Sequence, residues 1–137
     1  MRDDCYYLED GFWALVENGK VRIGITDYLQ RTLGDAAFVE LPKKGLETER
    51  GGEIGALETA KASIPIISPV SGAIEEVNGA LDERPELVNS DPYGEGWFAV
   101  IAPRNLGEDL KKLMSAEDYF ELMLKKLETD HKRVGTE

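Results

Sequence analysis

The pair Asn18-Gly19 stands between Phe12–Glu17 and the alternating run Val21, Ile23, Ile25, and it commits this part of the chain to a β-hairpin. A type I′ turn needs positive φ at both central residues, and Asn followed by Gly meets that need best. Val21, Ile23 and Ile25 alternate with Arg22 and Gly24, the pattern of a half-buried strand. Similar punctuation continues downstream. Thr26 and Asp27 can each cap a helix over Tyr28–Leu33, and Gly34 suits its stop. Ala36–Leu41 reads as a strand closed by Pro42, and Lys43–Gly52 as loop or irregular strand. Ile54–Glu58 and Ile64–Ile67 read as short strands. Pro65 has no N–H to give a neighbour, so its strand belongs at an edge or at a break in pairing. Gly72–Val77 alternates again, and Asn78-Gly79 is a second turn signal. Leu81–Asn89 is a short helical or looped excursion limited by Pro85, Pro92–Gly96 a turn, and Trp97–Ile101 a core strand.

From Leu106 the period becomes helical, with Leu110, Leu113, Met114, Tyr119, Met123 and Leu127 as the apolar positions. Ser115 and Asp118 resemble a capping box, and the polar tail after Asp130 is expected to fray. Short strands followed by terminal helices predict one mainly β domain over residues 1–137. Its core would span about 12–104 and its helical part about 106–130, boundaries set by where the period changes.

Charge and missing motifs exclude several functions. The chain has 16 basic and 27 acidic residues, a net charge of −11. Such a surface repels phosphate backbones, so no nucleic-acid partner is expected. The acidity either keeps the protein soluble or steers it toward basic surfaces. Cys5 is the single cysteine, which rules out an internal disulfide and fits a reducing compartment. No apolar run reaches the length of a membrane span, and Arg2-Asp3-Asp4 begins neither a signal nor a transit peptide. A cytoplasmic protein without a membrane partner is expected. His131 is the only histidine and lies in the tail, which removes a Ser-His or Cys-His nucleophilic pair. One Cys and one His cannot build a usual zinc site. Gly51-Gly52 is not followed by Gly-Lys-[Ser/Thr], so no phosphate loop is supported. The many carboxylates default to solvated surface. No catalytic or metal-binding residue emerges, and an enzyme in its own right is not expected.

Two segments repeat. Gly55-Ala56-Leu57-Glu58-Thr59-Ala60-Lys61 resembles Gly72-Ala73-Ile74-Glu75-Glu76-Val77-Asn78, offset by 17 residues. This pattern suggests two strand-turn units related by a pseudo-two-fold, one ending in Lys and the other in Asn. Lys61 lies between Ala60 and Ala62, so its amine is sterically open, and it falls between two short strands, so it should project from a turn. An exposed lysine fixed at its base is what a modifying enzyme needs. Taken alone, the same position fits an ordinary surface lysine.

Longer stretches carry a family resemblance. Val21-Arg22-Ile23-Gly24-Ile25-Thr26-Asp27-Tyr28, Leu33-Gly34-Asp35, Phe38-Val39-Glu40-Leu41-Pro42, Gly55-x-x-Glu58-Thr59-Ala60-Lys61-Ala62 and Ser68-Pro69-Val70-Ser71-Gly72 resemble the H protein of the glycine cleavage system. So do Glu75-x-Val77-Asn78 and Leu87-Val88-Asn89-Ser90-Asp91-Pro92-Tyr93-Gly94-Glu95-Gly96-Trp97. The resemblance implies a barrel-sandwich hybrid, or hammerhead, fold of the lipoyl/biotinyl-carrier type with added C-terminal helices. It implies lipoic acid joined by an amide to Lys61 as a swinging arm. Glu58 matches the acidic residue that lipoate-attaching enzymes favour, Gly55 belongs to the same hairpin signature, and Gly72 matches a glycine that lets the paired turn pack. The alanines beside Lys61 differ from the methionines of related biotin carriers.

The chain also departs from that family. Family members carry His-Glu-Trp near the N-terminus, where this chain has Gly11-Phe12-Trp13, and Ser-Asp after the modified lysine, where it has Ile64-Pro65. An aminomethyl cargo is an ammonium-like group that calls for carboxylates. Phe12, Ile64 and Pro65 instead predict an apolar resting place for the arm, better suited to a neutral sulfur adduct. That substitution favours the H-protein-like lipoate-binding proteins of sulfur oxidation, partnered by a heterodisulfide-reductase-like complex, over glycine cleavage enzymes. A monomer served by a lipoate-attaching enzyme is expected either way. A third possibility is an unmodified interaction protein with the same fold.

Overall fold

The computed structural model describes residues 3–135, with side chains described as far as 126. The chain order is β1 (Tyr6–Tyr7), β2 (Phe12–Glu17), β3 (Lys20–Ile25), α1 (Asp27–Leu33), β4 (Ala36–Glu40), β5 (Glu47–Thr48), β6 (Glu53–Thr59) and β7 (Ser63–Ile67). Then follow β8 (Gly72–Val77), α2 (Ala80–Glu83), α3 (Leu87–Ser90), β9 (Ala99–Pro103), α4 (Leu106–Leu110) and α5 (Ala116–Gly135).

The strands form two antiparallel sheets, one ordered β1-β2-β3-β9-β8-β5 and one ordered β4-β6-β7. They face each other across a shared core without closing into a barrel. The mainly β fold with C-terminal helices is therefore the expected one. Asn18 and Gly19 take φ 51° and 76°, as the turn between β2 and β3 requires. Ile23, Ile25, Leu57, Ile66, Val70, Ile74, Phe98 and Ile101 meet in the core, all essentially inaccessible. Each aliphatic side chain there contributes roughly 1.5–3 kcal/mol of burial. Of the two candidate caps for α1, Thr26 is the one used: its Oγ1 accepts from the Leu29 N–H at 3.1 Å. Pro65 lies on the edge strand β7, where its missing N–H costs nothing.

Some expectations need correction. The sheet begins at β1, upstream of the expected boundary near residue 12, because Tyr6–Tyr7 pairs with Trp13 and Ala14. The core strand after Trp97 runs over Ala99–Pro103. Asn78-Gly79 does make the expected turn, the Leu81 N–H donating to the Asn78 carbonyl at 3.1 Å. Gly79 has φ −60° and leads into α2, while Asn78 is buried. The last helix continues past Asp130 to Gly135, beyond both the expected end and the expected fraying. The side chains of Leu127 and His131 lie outside the described residues.

A second, smaller cluster fastens α5. Cys5, Tyr7 and Trp13 pack against Ala116, Tyr119 and Met123. The Tyr7 and Tyr119 rings stack at 4.7 Å, and the Tyr119 hydroxyl lies 3.1 Å from Thr26 Oγ1. Burial pushes the Tyr119 phenol above its usual pKa, with the Thr26 bond opposing. The Asp118 N–H donates to Ser115 Oγ at 3.1 Å, which supplies half of the expected capping box.

Candidate functional site

β6 and β7 are paired from Glu53↔Ile67 to Glu58↔Ser63, so residues 59–62 make the reversal between them. Thr59 staples this reversal. Its N–H donates to the Ala62 carbonyl at 2.8 Å. Its hydroxyl donates to the same carbonyl at 3.0 Å and accepts from the N–H groups of Lys61 at 3.3 Å and Ala62 at 3.1 Å. The Ala60 N–H donates to the Asp35 carbonyl at 3.1 Å, tying the tip to the segment before β4. Turn residues with such local side-chain bonds hold the backbone without help from a core.

Lys61 sits at the apex, flanked by exposed Ala60 and Ala62. Its amine makes no hydrogen bond or ion pair among the described residues. The root of the side chain is therefore fixed while its end is free. Glu58 lies at the end of β6, exposed, directly across from Ser63 on one side and Phe38 on the other. Gly55 lies further along β6, and Gly72 belongs to the other sheet, opposite Thr48 and Pro103. The structure thus places Lys61 and Glu58 together and holds Gly55 and Gly72 apart from the tip. Both glycines are steric requirements: a Cβ on Gly55 would strike the Glu40 carbonyl oxygen, and one on Gly72 the Ala102 carbonyl oxygen.

Phe12, Ile64 and Pro65 do come together. They line one groove of about 320 Å³ with Asp10, Leu29 and Ile67. Phe12 is buried as its floor, and Pro65 is exposed at its lip. The groove runs along β7, the strand that leaves the Lys61 tip. Asp10, Leu29 and Ile67 carried no signal in the sequence, because their membership depends on how α1 and the segment before β2 lie against β7.

Among the described residues no group of His, Cys, Asp and Glu could hold a metal ion, and no helix is long and apolar enough to cross a membrane. What the fold and hairpin define is a β-sandwich domain that presents one lysine beside an apolar groove. A profile of the family described as "Glycine cleavage H-protein" matches residues 5–126. The "Probable glycine cleavage system H protein" of Thermococcus gammatolerans is 48% identical over 120 residues, covering 87% of this chain and 89% of that protein. The "Glycine cleavage system H protein" of Thermus thermophilus is 48% identical over 120 residues, covering 88% and 93%. The crystal structure of a glycine cleavage system H protein from Mycobacterium marinum superposes with a TM-score of 0.79 at 35% identity, covering 87% of this chain and 95% of that one. The chain belongs to the glycine cleavage H-protein family. Its members are lipoate-carrying shuttle proteins, so the chain is a carrier and not itself an enzyme.

Proposed function

We propose that this chain is the lipoyl shuttle of a glycine cleavage system, with lipoate held as an amide on Lys61. The single observation that carries this reading is the stapled reversal of Thr59–Ala62, which presents one unpaired amine at its apex. The groove lined by Phe12, Ile64 and Pro65 suits the fatty chain of such a group, so the residues present fit it. Held on Lys61, lipoate would supply a reducible disulfide able to accept the carbon left when glycine loses CO2 to the decarboxylase.

The chain's own residues position and protect. Thr59 fixes the root of the arm. Glu58, exposed three residues before the lysine, offers a lipoate-attaching enzyme a carboxylate to recognise. Gly55 and Gly72 let their strands approach neighbouring carbonyls closely enough to build the frame. The apolar groove gives the arm a dry resting place. The acidic surface steers the carrier toward basic faces on glycine cleavage enzymes.

This reading replaces the sulfur-oxidation expectation and its heterodisulfide-reductase-like partner. The relatives compared above carry the glycine-cleavage name at up to 48% identity, whereas the sulfur reading rested on the changes at Phe12, Ile64 and Pro65 alone. Those changes alter the lining of the groove and leave the presenting hairpin intact.

Intact mass after treatment with a lipoate-attaching enzyme tests the attachment: one lipoyl adduct is expected, and none on Lys61→Arg. Labelled glycine and the glycine cleavage decarboxylase then test the cargo. A lipoylated protein that accepts no label would overturn the glycine-cleavage assignment, and an unlipoylated one would overturn the carrier reading at Lys61.

A further inference from the structure

Asn89 lies on α3, far in sequence from the lysine, and its side chain bridges three groups. Its Oδ1 accepts from the Ala36 N–H at 2.8 Å. Its Nδ2 donates to the Gly34 carbonyl at 2.9 Å and to Gln30 Oε1 at 3.0 Å. We propose that Asn89 is a positioning residue for Lys61, acting through the peptide unit that joins Asp35 to Ala36. The proposal rests on the carrier reading above, in which Lys61 is the acylated residue.

The path from Asn89 to the tip is short. The Asp35 carbonyl and the Ala36 N–H belong to one planar peptide unit. That carbonyl accepts from the N–H of Ala60, the residue before the lysine, at 3.1 Å. The N–H of the same unit donates to Asn89. The Ala60 N–H, the peptide and the Asn89 amide therefore form one hydrogen-bonded chain, in which each bond polarises the next. Asn89 also grips the carbonyl on the other side of Asp35, so residues 34–36 are held at both ends. Only an amide can do this, because one end of it accepts while the other donates.

The grip falls where regular structure gives out. Gly34, at φ 82°, has just ended α1. Strands β4 and β6 shift register between Ala36 and Phe38, an irregular step in the ladder. The 35–36 peptide stands between the helix stop and this step, and Asn89 fixes its plane. Asn89 is itself well anchored, since Leu87 and Val88 beside it are buried in the core. One side chain thus carries the rigidity of the core to an exposed hairpin. An arm whose root wanders is competent for acylation only part of the time, and its apparent affinity for the enzyme falls by the same fraction.

The test uses the full chain as wild type, Asn89→Ala, Asn89→Asp and Ile101→Val. Amide exchange followed by NMR reads the grip. The KM and kcat of a lipoate-attaching enzyme for each protein read the presentation of Lys61. Asn89→Ala should speed exchange at Ala60 roughly two- to tenfold, the range for one lost hydrogen bond. Exchange at Lys61 and Ala62, whose N–H groups Thr59 holds, should change by less than about twofold, because the two ties open separately. KM should rise roughly two- to fivefold with kcat unchanged. Asn89→Asp keeps an acceptor for the Ala36 N–H and should restore wild-type exchange and KM. Ile101→Val weakens the core in the other sheet without touching the grip, and should leave both readouts unchanged. Unchanged exchange at Ala60 in Asn89→Ala, an unchanged KM, or a KM that Ile101→Val raises equally would each overturn the role of Asn89. The exchange measurement needs no enzyme. A wild type left bare by the enzyme would defeat the carrier reading as well, whereas normal acylation of the wild type confines any failure to Asn89.

Discussion

The segments Gly55–Lys61 and Gly72–Asn78 start alike and end in opposite circumstances. Both glycines abut a carbonyl of a neighbouring strand, and both third residues, Leu57 and Ile74, are buried in the same core. Divergence begins at the fourth residue. Glu75 pairs with Lys20 at 3.0 Å, whereas Glu58 pairs with nothing among the described residues. At the seventh residue the contrast is complete. Asn78 is buried, and its Nδ2 donates to the carbonyls of Glu95 at 2.7 Å and Trp97 at 2.8 Å. Its Oδ1 accepts from the Ala80 N–H at 3.3 Å. Lys61 is exposed and its amine makes no hydrogen bond or ion pair among the described residues. The same strand motif thus serves once as a locked corner and once as a presenting arm. An amide, which both donates and accepts, can satisfy a buried corner. An ammonium has no acceptor capacity, carries a charge that burial penalises, and stays outside.

The largest expected effects test this asymmetry directly. Lys61→Arg should lose all acylation by a lipoate-attaching enzyme. Asn78→Lys should gain none, so that peptide mapping finds the adduct at Lys61 alone; acylation at position 78 would break the contrast. Next come the two glycines. Gly55→Ala and Gly72→Ala each force a Cβ into a backbone carbonyl, and each should destabilise by about 1–3 kcal/mol. Urea midpoints measure this, and a neutral result for either would end the parallel between the strands. Asn78→Ala removes the donor to the Glu95 and Trp97 carbonyls and should cost about 1–2 kcal/mol. Lys61→Ala should stay within about 0.5 kcal/mol, as surface changes usually do. Thr59→Ala should cost somewhat more, about 0.5–1 kcal/mol. Its clearer signature is faster amide hydrogen exchange at Lys61 and Ala62, whose N–H groups lose their acceptor.

Much of the frame was legible in the sequence because its signals are local. Phe12–Glu17, apolar and β-prone, and Gly72–Val77, alternating, form strands at the expected bounds. Pro65 announced an edge strand through a missing donor. Asn78-Gly79 signalled its turn for an equally physical reason. The Asn78 Oδ1 accepts from the nearby Ala80 N–H, while its Nδ2 reaches the distant carbonyls of Glu95 and Trp97, contacts no local pattern announces. Tyr6–Tyr7 is too short to show a period, and its strand exists only because β2 offers an edge and Tyr119 a stacking partner.

By itself the sequence determined the hairpins, the repeat, the exposed lysine between alanines and the apolar character of Phe12, Ile64 and Pro65. Those follow from side-chain chemistry and spacing over a few residues. Only the tertiary structure decided that Asp10 and Leu29 join those three in one groove, and that two similar heptapeptides end one in the interior and one in solvent. Such outcomes depend on which distant backbone comes alongside, and chain folding sets that through the burial of the whole core rather than through any local pattern.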